Sequence, residues 1–187
     1  MPISDLPSDW SLRMQIPEQD VHLGTTEMDW DVAIRDTISY VGELYSFKTP
    51  LHVHAESRWA DESLMVDIYL DSTISVPCIR CLEMTDIALK THFMYLYSLR
   101  DKETAAGKDD EHLVRVDMLE KQLDITQQVW ESLILSLPTN PLCKEDCRGL
   151  CPICGASLNK GDCGCRQNNI DPRLADLLKF KDEDSEV

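Results

Sequence analysis

Cysteine is the residue type in this sequence with the clearest capacity for chemistry. Six of the eight cysteines fall within the 23 residues from 143 to 165, and the other two lie far upstream. Four thiolates complete a closed tetrahedral zinc site, so eight cysteines arranged as four couplets predict two such sites. The predicted ligands of these two Zn2+ ions, given as the first to fourth couplets, are Cys78 and Cys81, Cys143 and Cys147, Cys151 and Cys154, and Cys163 and Cys165.

The spacing of the couplets favours one way of sharing them between the two ions. The third couplet is a Cys-x-x-Cys followed directly by Gly155, and a glycine there permits the positive φ that such a turn needs. The fourth couplet follows shortly afterwards, so these two would form a distal site. The first and second couplets would form a proximal site that docks the C-terminal segment onto the preceding domain. The alternative, which joins the first couplet to the third, stays open.

Zinc is the favoured metal, and its expected role is structural. Thiolates in closed tetrahedra suit zinc or iron, and the sequence does not separate the two. Four cysteine ligands leave no open position for a catalytic water, which favours sites that hold the fold. The second interpretation is a redox switch in which oxidation of the thiolates releases zinc.

Other candidate chemistry is weaker. The sequence contains no His-Glu-x-x-His, Gly-x-x-x-x-Gly-Lys or Gly-x-Ser-x-Gly motif, so we expect neither an enzyme nor a small-molecule substrate. His52 and His54 share one strand face and could bind metal, although exposed strand histidines without a ligand role are the simpler interpretation. Tyr95 and Tyr97 alternate with Met94 and Leu96, as side chains on one face of a strand do. They are predicted to lie in the core rather than to stack on nucleic-acid bases.

A long hairpin is predicted to position the first couplet. Alternate residues from Leu51 to Trp59 and from Leu64 to Val76 face one side, and strict alternation indicates an antiparallel sheet with one wet face. A new alternation begins near Ile87, which places the first couplet in the intervening turn. Shorter strands are expected at 10–16 and 114–118. The apolar residues of 18–48 fit neither the period of a strand nor that of a helix. Residues 101–111 are expected to be mobile because they lack apolar anchors.

Two helices are predicted around the cysteine-rich segment. Asp124 with Gln127 three residues later forms a capping-box pattern, and Pro138 and Pro141 should end that helix just before the second couplet. After the fourth couplet, Asp171 and the proline that follows it resemble an N-cap and a first helical position. The apolar positions are Ile125, Val129, Leu133, Ile134 and Leu137 in the first helix, and Leu174, Leu177 and Leu178 in the second.

These elements predict an α+β fold. At 187 residues the chain is long enough to bury a core. We expect an antiparallel β-sheet of about five strands with one packed helix, followed by a C-terminal zinc-knuckle module. Residues 1–142 would form the β-rich domain with the Cys-x-x-Cys hairpin turn. Residues 143–187 would form the cysteine-rich zinc-binding module with a short C-terminal helix.

Charge and targeting signals narrow the class of partner and the compartment. The net charge of −16 argues against a general nucleic-acid binder and favours a basic protein surface as partner. Five basic residues near the cysteines could offset thiolate charge or contact RNA phosphate or an acidic partner. No secretory signal or membrane span is evident, and paired cysteines suit a reducing cytoplasm. The five basic residues are Arg80, Lys144, Arg148, Lys160 and Arg166.

The sequence contains, in this order, Cys78-x-Arg80-Cys81-Leu82, Leu137-Pro138, Cys143-x-x-x-Cys147-x-Gly149-Leu150-Cys151-Pro152-x-Cys154-Gly155-x-x-Leu158-Asn159, Cys163-x-Cys165 and Asp171-Pro172-Arg173-Leu174. The order and spacing of these motifs across residues 78–178 resemble those of the YceD family of bacterial and plastid proteins. The resemblance implies a role in synthesis, processing or stability of large-subunit (23S) ribosomal RNA, as a non-enzymatic assembly factor. The partner would be a ribosomal RNA precursor or a ribosomal or assembly protein. A thiol-based redox sensor or chaperone is the alternative, followed by an RNA-processing enzyme.

Overall fold

The computed structural model describes residues 5–18, 24–99, 113–119 and 121–165. These residues form nine β-strands, one α-helix and one 3-10 helix, and most of the strand pairing is antiparallel. None of the helices in this part of the chain is long and apolar enough to cross a membrane. The elements are β1 Arg13–Gln15, β2 Thr25–Val32, β3 Ile38–Tyr40, β4 Glu43–Phe47, β5 Leu51–Ala60, β6 Ser63–Pro77, β7 Met84–Leu99, β8 Leu113–Val116, β9 Gln122–Asp124, α1 Thr126–Ser136 and the 3-10 helix Leu158–Lys160.

The long hairpin predicted from the alternation is present. Strands β6 and β7 pair antiparallel from Leu64 opposite Tyr97 to Pro77 opposite Met84, and β2 and β5 continue the sheet on the other side of β6. Side chains on one face of these strands are buried, while the opposite face is exposed along most of β7 and only partly exposed along β5 and β6, where Asp67 and Ser75 are buried. Because the tip of this hairpin lies just beyond Pro77 and Met84, it presents the first couplet at one end of the sheet.

The strand count and the strand directions differ from the prediction. Short strands β2, β3 and β4 form within 18–48, where the period was ambiguous, and β1 pairs with β9 in a separate two-stranded sheet. Strand β8 pairs parallel to β7, so the expectation of a purely antiparallel sheet is wrong at this edge. A parallel neighbour requires a connection of about a dozen residues or more, and residues 100–112 provide that length.

Helix α1 lies where it was predicted, but its start is different. Thr126 is its first residue and Ile125 is the N-cap, so the capping box proposed for Asp124 is wrong. The Ile125 N–H donates to the Leu12 carbonyl at 3.0 Å, which ties this residue to the β1–β9 sheet. Asp124 instead accepts from the Thr126 N–H at 3.0 Å, and the Gln127 side chain donates to Glu131.

The apolar side of α1 covers the sheet and delivers the chain to the hairpin tip. All five residues of the predicted stripe, from Ile125 to Leu137, are buried. Leu137 has extended backbone angles, as expected of a residue that precedes proline, and the helix ends there. The Pro138 carbonyl accepts from the Tyr45 hydroxyl at 2.7 Å, which fixes the exit of the helix against β4.

Three predictions fall on residues outside the described ranges. They are the mobile segment 101–111, the helix beginning near Asp171 and the position of Arg166. The division of the chain between residues 142 and 143 also stays a prediction.

Candidate metal centres

A tight turn at the hairpin tip presents the first couplet. The Cys78 N–H donates to the Glu83 carbonyl at 2.9 Å, and the Leu82 N–H donates to the Cys78 carbonyl at 2.9 Å. Leu82 takes a positive φ of 60°, a conformation that residues with a Cβ adopt at some cost. These bonds close residues 78–83 into a loop that holds Cys78 and Cys81 on the same side.

The second couplet is held against this turn by backbone contacts. The Ile79 N–H donates to the Pro141 carbonyl at 3.0 Å, and the Arg80 guanidinium donates to the Cys147 carbonyl at 3.0 Å. Gly149 has a φ of +74°, and a Cβ added there would lie 3.0 Å from the Arg80 carbonyl oxygen. A glycine is therefore required where the cysteine-rich segment passes the hairpin tip.

The four sulfurs of the proximal site have the spacing of a tetrahedral metal site. The Cys78 and Cys147 sulfurs lie 3.8 Å apart, the Cys81 and Cys143 sulfurs lie 3.6 Å apart, and all four fall within 4.8 Å of one another. Four sulfurs at about 2.3 Å from one zinc ion would be separated by about 3.8 Å, whereas a disulfide bond is about 2.05 Å long. The donor set and its spacing therefore fit zinc.

Ionisation within the proximal site is uneven. Burial opposes ionisation of Cys78, but hydrogen bonds from the backbone of Cys81, Cys143 and Arg80 lower its pKa to about 6. Burial and the neighbouring cysteine side chains, Cys147 first, raise the pKa of Cys143 to about 12. Four thiolates at this spacing repel one another, and a divalent cation is the kind of group that offsets this repulsion.

Asn159 donates to the proximal sulfurs. Its amide nitrogen lies 3.3 Å from the Cys147 sulfur and 3.8 Å from the Cys143 sulfur. The hydrogen bond to Cys147 is the largest cause of the lowered pKa of that thiol. Its amide oxygen accepts from the Arg148 N–H at 2.9 Å.

The third and fourth couplets form the second group. The sulfurs of Cys151, Cys154, Cys163 and Cys165 all fall within 4.8 Å of one another. The Gly155 N–H donates to the Cys151 carbonyl at 2.9 Å, and Gly155 has the positive φ expected after the couplet. Cys151 is buried, whereas the other three cysteines of this distal site are exposed.

The distal thiols also ionise unequally. Hydrogen bonds from the backbone of Cys154 and then Ile153 lower the pKa of Cys151 to about 6. The neighbouring Cys154 and Cys163 side chains raise the pKa of Cys165 to about 12. As in the proximal site, the close spacing of the sulfurs opposes full ionisation unless a cation is present.

The structure brings the couplets together in the favoured grouping. The first couplet lies with the second, and the third lies with the fourth; the first and third do not share a group. All eight cysteines are free of disulfide bonds. Each group could hold a metal ion, while the ligand role of each residue stays a prediction.

The four basic residues near the cysteines that the structure describes are engaged within the protein. Lys160 lies 2.9 Å from the Glu83 carboxylate, Lys144 lies 3.6 Å from Asp146, and Arg148 is paired with the Asp162 carboxylate. Arg80 donates to backbone carbonyls of the second couplet's loop. These contacts are with carboxylates and backbone carbonyls, so the roles expected of the basic residues, offsetting thiolate charge or contacting phosphate or an acidic partner, stay predictions.

The strand histidines pair with carboxylates. His52 Nδ1 lies 3.0 Å from Asp31, and His54 lies 2.8 Å from Asp29 and 3.1 Å from Glu56. Within the part of the chain that the structure describes, the two cysteine groups are the sets of three or more potential ligands close enough to share an ion. His52 and His54 are therefore engaged with carboxylates of the sheet, and their lack of a ligand role stays a prediction.

The cysteine pattern has counterparts in known proteins. The family described as large ribosomal RNA subunit accumulation protein YceD matches residues 66–181, a range that contains all eight cysteines. The chain belongs to the YceD family. The match also includes β6 from Val66 onward, all of β7 and helix α1, so it covers the hairpin tip and the helix that lead to the couplets.

Two kinds of curated relatives are informative. An uncharacterized protein of Mycobacterium tuberculosis is 30% identical over 130 residues, which cover 67% of this chain and 61% of the relative. The Arabidopsis thaliana protein named large ribosomal RNA subunit accumulation protein YCED homolog 1, chloroplastic, is 24% identical, with 74% of this chain and 51% of that protein covered. The matched region thus spans about three fifths or less of these relatives. No solved structure significantly resembles this YceD chain.

Two residues of the YceD motif acquire roles that the sequence did not assign. Gly149 permits the close approach to Arg80, and Asn159 reaches the proximal sulfurs from the loop between the distal couplets. The sequence signal that could have identified them was their place in the motif. Gly149 lies between the second and third couplets, and Asn159 lies between the third and fourth. Their partners, however, depend on how that segment folds against the hairpin.

Proposed function

We propose that the protein is a non-enzymatic, zinc-binding factor that supports the synthesis, processing or stability of large-subunit ribosomal RNA, acting in ribosome assembly. Membership of the YceD family over residues 66–181 is the observation that carries this proposal. The names of the plant relatives point to the same process. The bacterial cytoplasm is the proposed location, because eight cysteines without disulfide bonds suit a reducing compartment.

The two cysteine groups support a structural role for the metal. Four thiolates fill the coordination shell of zinc and leave no position for a substrate or an activated water. At the proximal site, a zinc ion would link the hairpin tip to the segment that follows α1, and at the distal site it would close the loop between the last two couplets. The residues themselves position this link through the contacts of Ile79 and Arg80 with that segment.

A protein component of the precursor particle is the proposed direct partner. The chain carries 34 acidic against 18 basic residues, which disfavours binding to naked RNA. On the sheet, Asp29, Asp31, Glu56 and Asp71 already pair with His52, His54 or Lys90, but the excess of acidic over basic residues in the chain still leaves a net acidic surface. Such a surface is complementary to a basic protein, so we expect association with the particle to exceed binding to protein-free RNA.

Deletion followed by complementation tests the proposed process. We expect a deletion strain to accumulate less large-subunit than small-subunit ribosomal RNA and the wild-type chain to restore the ratio. A chain carrying Cys78→Ser and Cys81→Ser should fail to restore it, because the proximal site loses half its ligands. The matched control is Asn140→Ala, which removes an exposed amide whose side chain hydrogen-bonds only to the neighbouring Thr139 among the described residues.

Co-sedimentation tests the proposed partner class. The protein should migrate with precursors of the large subunit in a sucrose gradient and should not retard protein-free precursor RNA in a gel. Normal ribosomal RNA after deletion, together with no association with precursors, would contradict the proposal. Purified metal-loaded protein should leave precursor RNA uncut, and cleavage that the cysteine variants abolish would instead identify an enzyme.

A redox-responsive role is the second candidate, and the exposure of three distal cysteines favours it. In this case peroxide would oxidise two distal thiolates to one disulfide, be reduced with two protons to two waters, and release zinc. Mild peroxide should then release about one ion per chain and increase the binding of an apolar dye. Retention of both ions under that treatment would exclude this candidate.

A further inference from the structure

Asn159 belongs to the loop of one metal centre and contacts the ligands of the other. It lies in the 3-10 helix Leu158–Lys160, between Cys154 and Cys163 of the distal site. Its amide nitrogen is 3.3 Å from the Cys147 sulfur of the proximal site. Asn159 therefore links the loop of the distal site to the ligands of the proximal site.

The hydrogen bonds of the amide fix its orientation. The Arg148 N–H can only donate, so the atom that it contacts at 2.9 Å must be the amide oxygen of Asn159. The amide NH2 group consequently faces the sulfurs of Cys143 and Cys147. Donation to a thiolate stabilises its charged form, which is the form that binds metal.

The position of Asn159 depends on the distal loop. The Leu158 N–H donates to the Gly149 carbonyl at 2.9 Å, and the Cys151 N–H donates to the Ala156 carbonyl at 2.8 Å. A metal ion at the distal site would tie both ends of the segment that carries Asn159. Closing this loop would reduce the number of conformations open to the segment, and would therefore favour the one in which the Asn159 side chain contacts Cys147.

We infer that Asn159 couples the two centres, so that metal bound at the distal site raises the metal affinity of the proximal site. This inference rests on the metal binding proposed above. Loss of a hydrogen-bonding partner outside the ligand shell typically lowers metal affinity about 10- to 100-fold, and we expect Asn159→Ala to fall in that range at the proximal site. Because coupling between two binding equilibria is reciprocal, proximal metal must raise distal affinity by the same factor.

A double-mutant cycle on the full chain tests the coupling. The distal site is disabled by Cys154→Ser with Cys163→Ser, in chains that carry either Asn159 or Asn159→Ala. Proximal affinity is measured by competition with a chelator, using Co2+ as the probe because its absorption reports thiolate ligation. We expect disabling the distal site to lower proximal affinity about 10-fold when Asn159 is present, and to cause no further loss in the Asn159→Ala chain.

Stepwise Co2+ binding to chains with all eight cysteines gives a second readout that does not require the serine variants to fold. Binding of the two ions should be positively cooperative in the wild-type chain and independent in Asn159→Ala, with Asn140→Ala behaving as wild type. Near-ultraviolet circular dichroism from the edge-to-face pair Trp10 and Trp130, whose ring centroids are 5.6 Å apart, reports the folded sheet.

Several outcomes would overturn the inference. Equal losses of proximal affinity with and without Asn159 would assign the coupling to the backbone instead, and independent binding in the wild-type chain would remove the coupling altogether. A chain that binds no metal would contradict both this inference and the proposed zinc sites. Two ions bound without coupling would contradict only the inference and leave the proposed function in place.

Discussion

At the scale of single residues, glycine at position 149 satisfies two demands that no other residue type meets. Its positive φ of 74° places a side chain in a strained conformation, and the Arg80 carbonyl oxygen occupies the space where a Cβ would lie. Gly42 has a comparable φ of +88°, but a Cβ there would meet no atom within 4 Å. Comparing substitutions at these two positions therefore distinguishes the cost of backbone strain from the cost of a steric clash.

We predict that Gly149→Ala destabilises the protein more than Gly42→Ala. The strain common to both should lower the free energy of unfolding by about 1–2 kcal/mol. Gly149→Ala should add the cost of displacing the hairpin tip and should weaken proximal metal binding, which Gly42→Ala leaves unchanged. Denaturant unfolding and metal competition measure the two effects, and equal behaviour of the two variants would contradict the close approach.

The contribution of His54 to the stability of the folded state depends on pH. The hydrogen bond to Asp29, followed by the one to Glu56, raises the pKa of His54 above its usual value of 6.5. A group with a raised pKa in the folded state stabilises that state fully below its unfolded pKa, and this contribution is lost as pH rises through the folded value. The pairing of His54 should therefore stabilise the fold in mildly acidic solution and not in alkaline solution.

The prediction is that Asp29→Asn lowers the pKa of His54. The asparagine keeps the shape of the side chain but removes the charge that favours the imidazolium. Titration of the His54 ring signals by NMR measures the shift, and Asp61→Asn, in the turn between β5 and β6, provides a control with the same chemical change. An unchanged titration midpoint in Asp29→Asn would show that the contact at 2.8 Å does not persist in solution.

At the scale of elements, β7 carries two buried tyrosines, and one of them, Tyr95, joins this strand to α1. The Tyr95 hydroxyl lies 2.9 Å from the hydroxyl of Ser132, which is fully buried, and 3.3 Å from the Gln128 carbonyl. Tyr97 is buried two residues further along β7, and its hydroxyl has no hydrogen-bond partner among the described residues. Two buried tyrosines on one strand therefore differ, since the hydroxyl of Tyr95 links β7 to α1 and that of Tyr97 does not.

Tyr95→Phe and Tyr97→Phe should therefore differ in sign or size. Removing the Tyr95 hydroxyl leaves that of Ser132 unsatisfied, which should cost about 1–3 kcal/mol of unfolding free energy. Removing the Tyr97 hydroxyl relieves a buried polar group without a partner and should be neutral or stabilising. Thermal or denaturant unfolding measures both variants, and equal losses would contradict the hydrogen bond between β7 and α1.

These two tyrosines also show what the sequence could predict about the elements. Alternation along β7 predicted the burial of both side chains, because it depends only on the period of a strand. It could not distinguish their hydrogen bonds, since these depend on where α1 crosses the sheet. The same limit applies to the start of α1, where the contact of Ile125 with Leu12, 113 positions away, overrides the capping pattern at Asp124.

The candidate site follows the same division between local and distant information. The spacing of the couplets favoured the grouping that the structure shows, because the fourth couplet follows shortly after the third along the chain. The direction of β8 and the contact of Asn159 with Cys147 were outside the reach of local patterns, since each depends on the path of a distant segment. Family resemblance supplied the process, which residue chemistry alone did not indicate.

At the scale of the whole molecule, the two candidate centres differ in their exposure to solvent. In the proximal site, Cys78, Cys81 and Cys147 are buried under the hairpin tip and the segment that follows α1. In the distal site, Cys151 alone is buried. A chelator must reach the metal and compete for one thiolate after another, so the exposed site should lose its ion sooner.

We predict that a chelator removes metal from this protein in two phases, the distal ion first. Native mass spectrometry should show two ions per chain at the start, then one ion, and finally none. The second loss should release residues 143–165 from the hairpin tip, and limited proteolysis should then cut that segment while the sheet survives. The sheet should survive because its core, built around β5, β6 and β7 with α1, contains no metal ligand.

The decisive comparison uses variants of each site in the same experiment. Cys163→Ser should eliminate the fast phase, whereas Cys81→Ser should eliminate the slow phase and expose residues 143–165 to protease before any chelator is added. The Trp10–Trp130 signal should persist in both variants, because this pair packs with the main core rather than with the cysteines. Simultaneous loss of both ions, or unfolding of the sheet together with the first ion, would mean that the metal holds the entire fold and not only its C-terminal attachment.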